Sequence, residues 1–226
     1  MASLPEVRRT TLGNRVYDTI RAAIVGHDAR PGERLRIDAL ARDLGVSQTP
    51  VREALARLLT EALVTYEPLV GYRVAPILDP VGFDRLMEAR FVIEPRLASL
   101  AAQRGPLHAI PSLRELAPID NRDSGADRYG RYRRHTERDA AFHAAVAAAA
   151  GNSFLADALA RLYVHLHIYR LHHPVDGLDS TEAEHLAIVT AIEASDPAHA
   201  AEAMLAHLDA SYHRHAAGLA QKSTPQ

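Results

Sequence analysis

A chain of 226 residues that is 47% hydrophobic and 24% charged has an ordinary globular composition, one large domain or two small ones, which excludes wholesale disorder. It holds no Cys and no Trp, so a disulfide scaffold, a thiolate zinc finger, an iron–sulfur cluster and a cysteine nucleophile are excluded together. The net charge of −2 hides an asymmetry: residues 1–78 carry 11 Arg against 9 Asp/Glu, and residues 79–226 carry 15 Lys/Arg against 19 Asp/Glu. A mildly basic N-terminal third is compatible with nucleic acid.

Between Leu12 and Val25 the apolar positions Leu12, Val16, Ile20, Ala23 and Ile24 recur at spacings of three and four, which predicts a helix. Arg30-Pro31-Gly32 breaks the chain. Leu35 and Ile37 lead into a short helix over Asp38–Leu44, stopped by Gly45. Ser47 is placed to N-cap a third helix with Pro50 in its first turn, and Val51, Ala54, Leu55 and Leu58 form its buried face. The period then changes. Leu63–Tyr66 and Tyr72–Ala75, around a turn with Pro68 and Gly71, predict a two-stranded hairpin. Helix, short helix, turn, helix and hairpin describe a winged helix-turn-helix over residues 1–76.

Residues 77–80 read as a linker, and everything from 81 to 226 reads as helix. Six helices are expected: Val81–Gln103 across Pro95, Ile110–Leu116, Arg128–Ala150, Ser153–His172, Thr181–Ala194 and Pro197–Leu219, with loops at 119–125 and 173–180. The fold class is therefore mainly α, a winged domain with a small β-hairpin followed by an all-α antiparallel bundle. No apolar run approaches the roughly 20 residues that cross a bilayer. Met1–Thr11 lacks an apolar signal core, so a cytoplasmic protein with no membrane partner is expected.

A helix-turn-helix offers the first residues of its second helix to base edges in the major groove, here Ser47, Gln48, Thr49 and Arg52. Gln pairs with adenine, Arg with guanine, and the Thr methyl can rest on thymine, while Ser47 and the helix start suit a phosphate. Arg34, Arg42 and Arg57 are further candidates for DNA contact, and Gly71 in the wing turn would allow close approach to a groove. Taken singly, each is more often a helix start or a solvated charge. The combination carries more. Pro31-Gly32-Glu33-Arg34-Leu35, Leu40-Ala41, Leu44-Gly45-Val46-Ser47, Thr49-Pro50-Val51-Arg52-Glu53-Ala54-Leu55 and Arg57-Leu58, running on through Glu61-Ala62-Leu63-Val64 to Gly71-Tyr72, closely resemble the GntR family of bacterial transcription regulators. Many relatives have Arg where this chain has Gln48, a base-facing position, so no operator sequence transfers from the resemblance.

In the second domain the sharpest chemical pattern is Asp139-Ala-Ala-Phe-His143. Four residues of helix separate two side chains by about 40° around the axis, so this carboxylate and imidazole share one face. They can share a divalent metal or form a plain i, i+4 ion pair. His185 and His207 lie inside the last two helices among apolar neighbours, where a lone His is more often a hydrogen-bonded core residue than a ligand. Glu88-Ala-Arg90-Phe-Val-Ile93-Glu94-Pro95, Asp139-x-x-Phe142-His143, Gly151-Asn152, Glu184-His185 and Met204-x-x-His207 resemble the FCD domain of the fatty-acid-regulator (FadR) branch of that family. Six expected helices resemble its vanillate-regulator-like (VanR) subgroup. The resemblance implies a divalent metal (zinc, nickel or manganese) on Asp139, His143, His185 and His207, and a small carboxylate effector completing its coordination.

Arg90 is the candidate to grip the far end of that effector, the alternative being an intrahelical pair with Glu94. Arg133, Arg134 and Arg170 are weaker candidates, and His165, His167, His172 and His173 are read as peripheral or as outer partners of the pocket. The expected protein is a homodimeric repressor of palindromic operator DNA under the control of a small organic acid. Two rivals remain. A metal with an open position can activate water in an enzyme, although no general base accompanies this one and the winged domain would be idle. The metal can also be purely structural, with a partner protein supplying regulation.

Overall fold

The computed structural model describes residues 12–105, 109–118, 128–171 and 179–222. The chain divides into two compact units between Ile77 and Leu78.

The first unit contains α1 (Leu12–Val25), β1 (Arg34–Leu35), α2 (Ile37–Asp43), α3 (Gln48–Thr60), β2 (Val64–Glu67) and β3 (Gly71–Val74). The stripe Val16, Ile20 and Ile24 of α1 is buried, as are Val51, Ala54, Leu55 and Leu58 of α3, and these two helices form the core. A second tie crosses the same seam. Tyr17 donates its hydroxyl to Glu61 Oε1 at 2.5 Å, and the Arg57 guanidinium lies 3.7 Å from the Tyr17 ring centre while donating to Asn14 Oδ1 at 2.9 Å. The α2–α3 turn is a Schellman stop: Gly45 sits at φ 65°, its N–H reaching Arg42 O and that of Val46 reaching Ala41 O.

The wing differs from the expected hairpin by one strand. β2 and β3 pair antiparallel with Val64 opposite Val74 and Tyr66 opposite Tyr72, and β1 adds to the far edge of β3 with Leu35 opposite Tyr72. Two residues are too short to show a period, so β1 is invisible in the sequence. Gly32 at φ 79° turns the chain onto that edge, and its N–H donates to Val74 O at 2.9 Å.

The second unit contains α4 (Pro80–Arg104), α5 (Ala109–Leu116), α6 (Arg128–Ala149), α7 (Ser153–Ala160), α8 (Val164–Arg170), α9 (Asp179–Glu193) and α10 (Pro197–Lys222). Asp79 caps α4 by accepting from Gly82 N at 2.7 Å, so Pro80 is the first helical residue and not the end of a linker. Pro95 lies inside α4 without ending it. α4 packs along α10 and against α6 and α9, burying Phe83, Met87 and Leu97 with Phe142 and Val146, Ile188 and Ile192, and Met204 and Leu208.

Seven helices are present among the described residues of this unit, where six were expected. The segment read as one helix from Ser153 divides at Arg161–Tyr163, because Leu162 and Tyr163 bond back only three residues and Tyr163 takes φ 45°. No Gly or Pro marks that break, and the six-helix subgroup assignment loses its support. The expected loop at 119–125 and most of that at 173–180 lie outside the described residues. Among the described residues no helix is long and apolar enough to cross a membrane.

Candidate metal centre and DNA-reading helix

In the winged unit Pro50 and Val51 turn inward, which leaves Ser47, Gln48, Thr49 and Arg52 exposed at the start of α3. Ser47 occupies the N-cap position with extended backbone (φ −71°, ψ 166°), but its hydroxyl makes no capping bond. Arg52 Nη2 donates to Gln48 Oε1 at 3.1 Å, so the two base-reading candidates are paired one turn apart. Arg42 is exposed in the last turn of α2, and Arg34 is exposed on β1. Arg57 is placed differently from these. Its contacts with Tyr17 and Asn14 engage it with α1, away from the reading residues. Gly71, at φ 92°, opens β3 opposite Glu67, and the tip of the wing is Leu69, fully exposed at φ 69°.

In the helical unit Asp139 and His143 of α6, His185 of α9 and His207 of α10 converge. His143 Nε2 lies 3.1 Å from His207 Nε2 and 3.8 Å from Asp139 Oδ1, and His185 Nε2 lies 3.4 Å from Asp139 Oδ1. The three imidazoles are buried. Bonds of ~2.1 Å to one ion set neighbouring donors about 3.0 Å apart across a right angle and about 3.4 Å apart in a tetrahedron. The observed separations fall on or just above those values, and the four donor atoms lie within 4.8 Å of one another.

A carboxylate stands behind each of two imidazoles. His207 Nδ1 is 2.8 Å from Glu184 Oε2, and Glu184 is gripped by Arg214 at 2.7 and 2.9 Å. His143 Nδ1 pairs with Glu94, whose other oxygen accepts from Arg90 Nε at 2.5 Å. These partners favour the Nδ1–H tautomer and aim both Nε2 lone pairs at the same point. Two lone pairs facing each other at 3.1 Å repel unless a cation or a proton lies between them. The donor set therefore fits a divalent metal. Phe142 stacks on His185 with ring centres 3.8 Å apart and fixes its plane.

The titration of these groups follows their neighbours. Burial works to raise Asp139, but His143, followed by His185 and His207, holds its carboxyl well below the ordinary value. Burial alone would also raise Glu94; Arg90 and His143 bring it to about 2. Glu184, against the same pull of burial, is held at about 2 by His207 and Arg214. Burial lowers His207 to about 4 and lowers His185, whereas His143 is raised because Glu94 and Asp139 outweigh its burial.

A cavity of about 520 Å³ opens beside Asp139 and His143, bounded by α4, α6, α7 and the start of α8. Arg90 lines it next to the His143 end, and the intrahelical pair with Glu94 read as its alternative is present. His165 also lines the cavity, while Arg170 is buried and does not. The Arg133 side chain, His172 and His173 lie outside the described residues. Sequence reasoning missed Glu94 and Glu184 as the carboxylates behind the imidazoles. Glu184 adjoins His185 in the chain but backs His207 on another helix, a pairing that spacing does not reveal.

A helix-turn-helix with its second helix exposed at the leading end, followed by a separate helical unit, is the architecture of a DNA-binding regulator. Residues 12–74 match the gntR family of bacterial regulatory proteins and residues 85–210 match the FCD domain. The chain belongs to this family and is a transcriptional regulator, not an enzyme. It is 30% identical to the HTH-type transcriptional repressor GlaR of Escherichia coli over 205 residues, 85% of this chain and 90% of that one. It is also 30% identical to a probable D-xylose utilization operon transcriptional repressor of Paenarthrobacter nicotinovorans, over 92% of this chain and 91% of that one. Among solved structures, E. coli McbR/YncC shares the fold with a TM-score of 0.67 at 20% identity, covering 96% of this chain and all of that one.

Proposed function

We propose that the protein is a homodimeric repressor whose hold on a palindromic operator is set by a small carboxylate bound at a metal in the helical unit. In that reading Ser47, Gln48, Thr49 and Arg52 read base edges, Arg34 and Arg42 hold phosphates, and Gly71 lets the wing backbone lie close to the duplex. Two copies are required because a palindrome presents two half-sites about one helical turn apart.

The observation that carries the sensing half is the pair of Nε2 atoms 3.1 Å apart, each imidazole backed by a carboxylate, with His143 of the pair lining the cavity. Asp139, His143, His185 and His207 would hold the ion. One carboxylate and three neutral imidazoles leave a divalent ion with net positive charge and an open position, which attracts an anion. Arg90 uses its Nε–H on Glu94 and an Nη1–H on Met87 Sδ, and of its five N–H groups the others would serve an effector's oxygen. An acid that binds the DNA-competent and DNA-incompetent states with different affinity shifts their populations, which is all that regulation requires.

The test starts from DNA fragments that the purified protein retains from random oligonucleotides. Operator binding is then titrated with small carboxylates in the presence of zinc, nickel or manganese and again after chelation. Metal-dependent release or tightening by an acid supports the reading. Operator binding unaffected by acids, with metal bound throughout, leaves a structural metal and refutes the sensing role.

A further inference from the structure

We infer that the effector site takes a monocarboxylate with an apolar body, and not a di-acid or a polyhydroxy acid; this rests on the carboxylate-sensing reading above. The charged groups of the cavity are concentrated, though not confined, at one end. Arg90, Glu94, Asp139 and His143 lie there, and Arg90, Glu94 and His143 are buried. Beyond them the facing helices present mainly alanine, Ala144, Ala147 and Ala148 on α6 and Ala156 and Ala160 on α7, with Leu159 beside them, and Asp157, Tyr163, Val164 and His165 complete the lining.

Small side chains opposite one another leave the space unfilled, and their methyl groups offer no hydrogen bonds to hydroxyls or amides. From Asp139 to Ala148 the α6 wall runs about 13 Å at the helical rise per residue, longer than a two-carbon acid can use. The volume sits in the range of small-molecule sites.

Charge decides against a second carboxylate. Arg90 is the one Lys or Arg among the described residues lining the cavity, and Glu94 already neutralises it. The other acidic group on the wall away from the centre is Asp157, on α7, which repels an anion. A single carboxylate therefore has one favourable place, at the ion that Asp139, His143, His185 and His207 would hold, and its carbon body has one direction to run.

The experiment uses the full-length, zinc-loaded chain in calorimetric titrations with acetate, butyrate, hexanoate, benzoate, malate and citrate. Affinity should rise from acetate to hexanoate by about fourfold per methylene, the value of burying one CH₂, and benzoate should bind. Ala148→Leu, which fills the open side of the alanine wall, should abolish the gain with chain length, with bound zinc measured as the check on folding. Malate or citrate binding more tightly than hexanoate overturns the inference and leaves the carboxylate sensor standing. Failure of every acid to bind the loaded protein overturns both. A chain-length gain that Ala148→Leu does not touch places the body elsewhere and also overturns it.

Discussion

Replacing Glu184 by Gln tests whether the carboxylates behind the imidazoles tune the metal centre. Glu184 is the better of the two to change. Glu94 is fully buried against Arg90, and its loss would strand a buried guanidinium, which costs about 3–5 kcal/mol and threatens the fold. The Glu184–Arg214 pair keeps 19% and 14% of its side-chain surface in solvent, and Arg214 retains Ser180 Oγ at 3.2 Å, so the loss is smaller than for the fully buried pair. With its pKa held at about 2, Glu184 is ionised at any working pH, and Gln removes a full charge from the 2.8 Å contact with His207. Removing such a partner weakens metal binding about 10–100-fold, or about 1.4–2.7 kcal/mol. Competition with a chromophoric chelator, after stripping with EDTA, measures this, and His207→Ala gives the scale for loss of a ligand. A Glu184→Gln protein that binds zinc within twofold of the parent, while His207→Ala does not, would refute the assignment.

Arg52→Ala should cost about 1–3 kcal/mol of discrimination between the selected operator and one changed at the contacted base, with metal content intact; equal discrimination in a competition shift assay sinks the reading-helix assignment. Arg57→Ala should instead lower the melting temperature of the winged unit through loss of the Tyr17 and Asn14 contacts, and unchanged melting with weakened operator binding would return Arg57 to the DNA surface. His215 on α10 is pushed down to about 3 by burial, below its unfolded value of about 6.5. Its contribution is therefore full above about pH 6.5 and is lost as the pH falls toward 3, amounting to about 2 kcal/mol by pH 5. His215→Gln should flatten the fall in melting temperature between pH 7 and 5, and an unchanged slope would contradict that burial.

What was legible in the sequence is what repeats along one element. The stripes of α1, α3 and α4 announce themselves because a helix buries every third or fourth residue, and Asp139 and His143 are joined by the same geometry. His185 and His207 stood out as imidazoles among Leu, Ile, Val and Met, an environment where a polar ring needs a partner. The remaining features are made by contacts between elements. Arg57 points away from the face that Val51 and Leu55 bury, so periodicity frees it, yet α1 lies along that side and claims it. β1 exists because the edge of β3 is there to receive two residues. Tyr163 breaks α7 from α8 without Gly or Pro, and the break helps shape the cavity because Tyr163 and Val164 sit in its wall. The alanines of α6 and α7 read as ordinary helix formers until they face each other across an unfilled space. The candidate metal ligands were legible through the family resemblance, because each must carry a particular atom. The size and polarity of the adjoining cavity were not, because they depend on side chains that are small and on what stands opposite them. In the proposed sensor, selectivity would therefore be open to change by substitutions such as Ala148→Leu that leave every candidate ligand in place, and the candidate ligand set alone would not identify the acid.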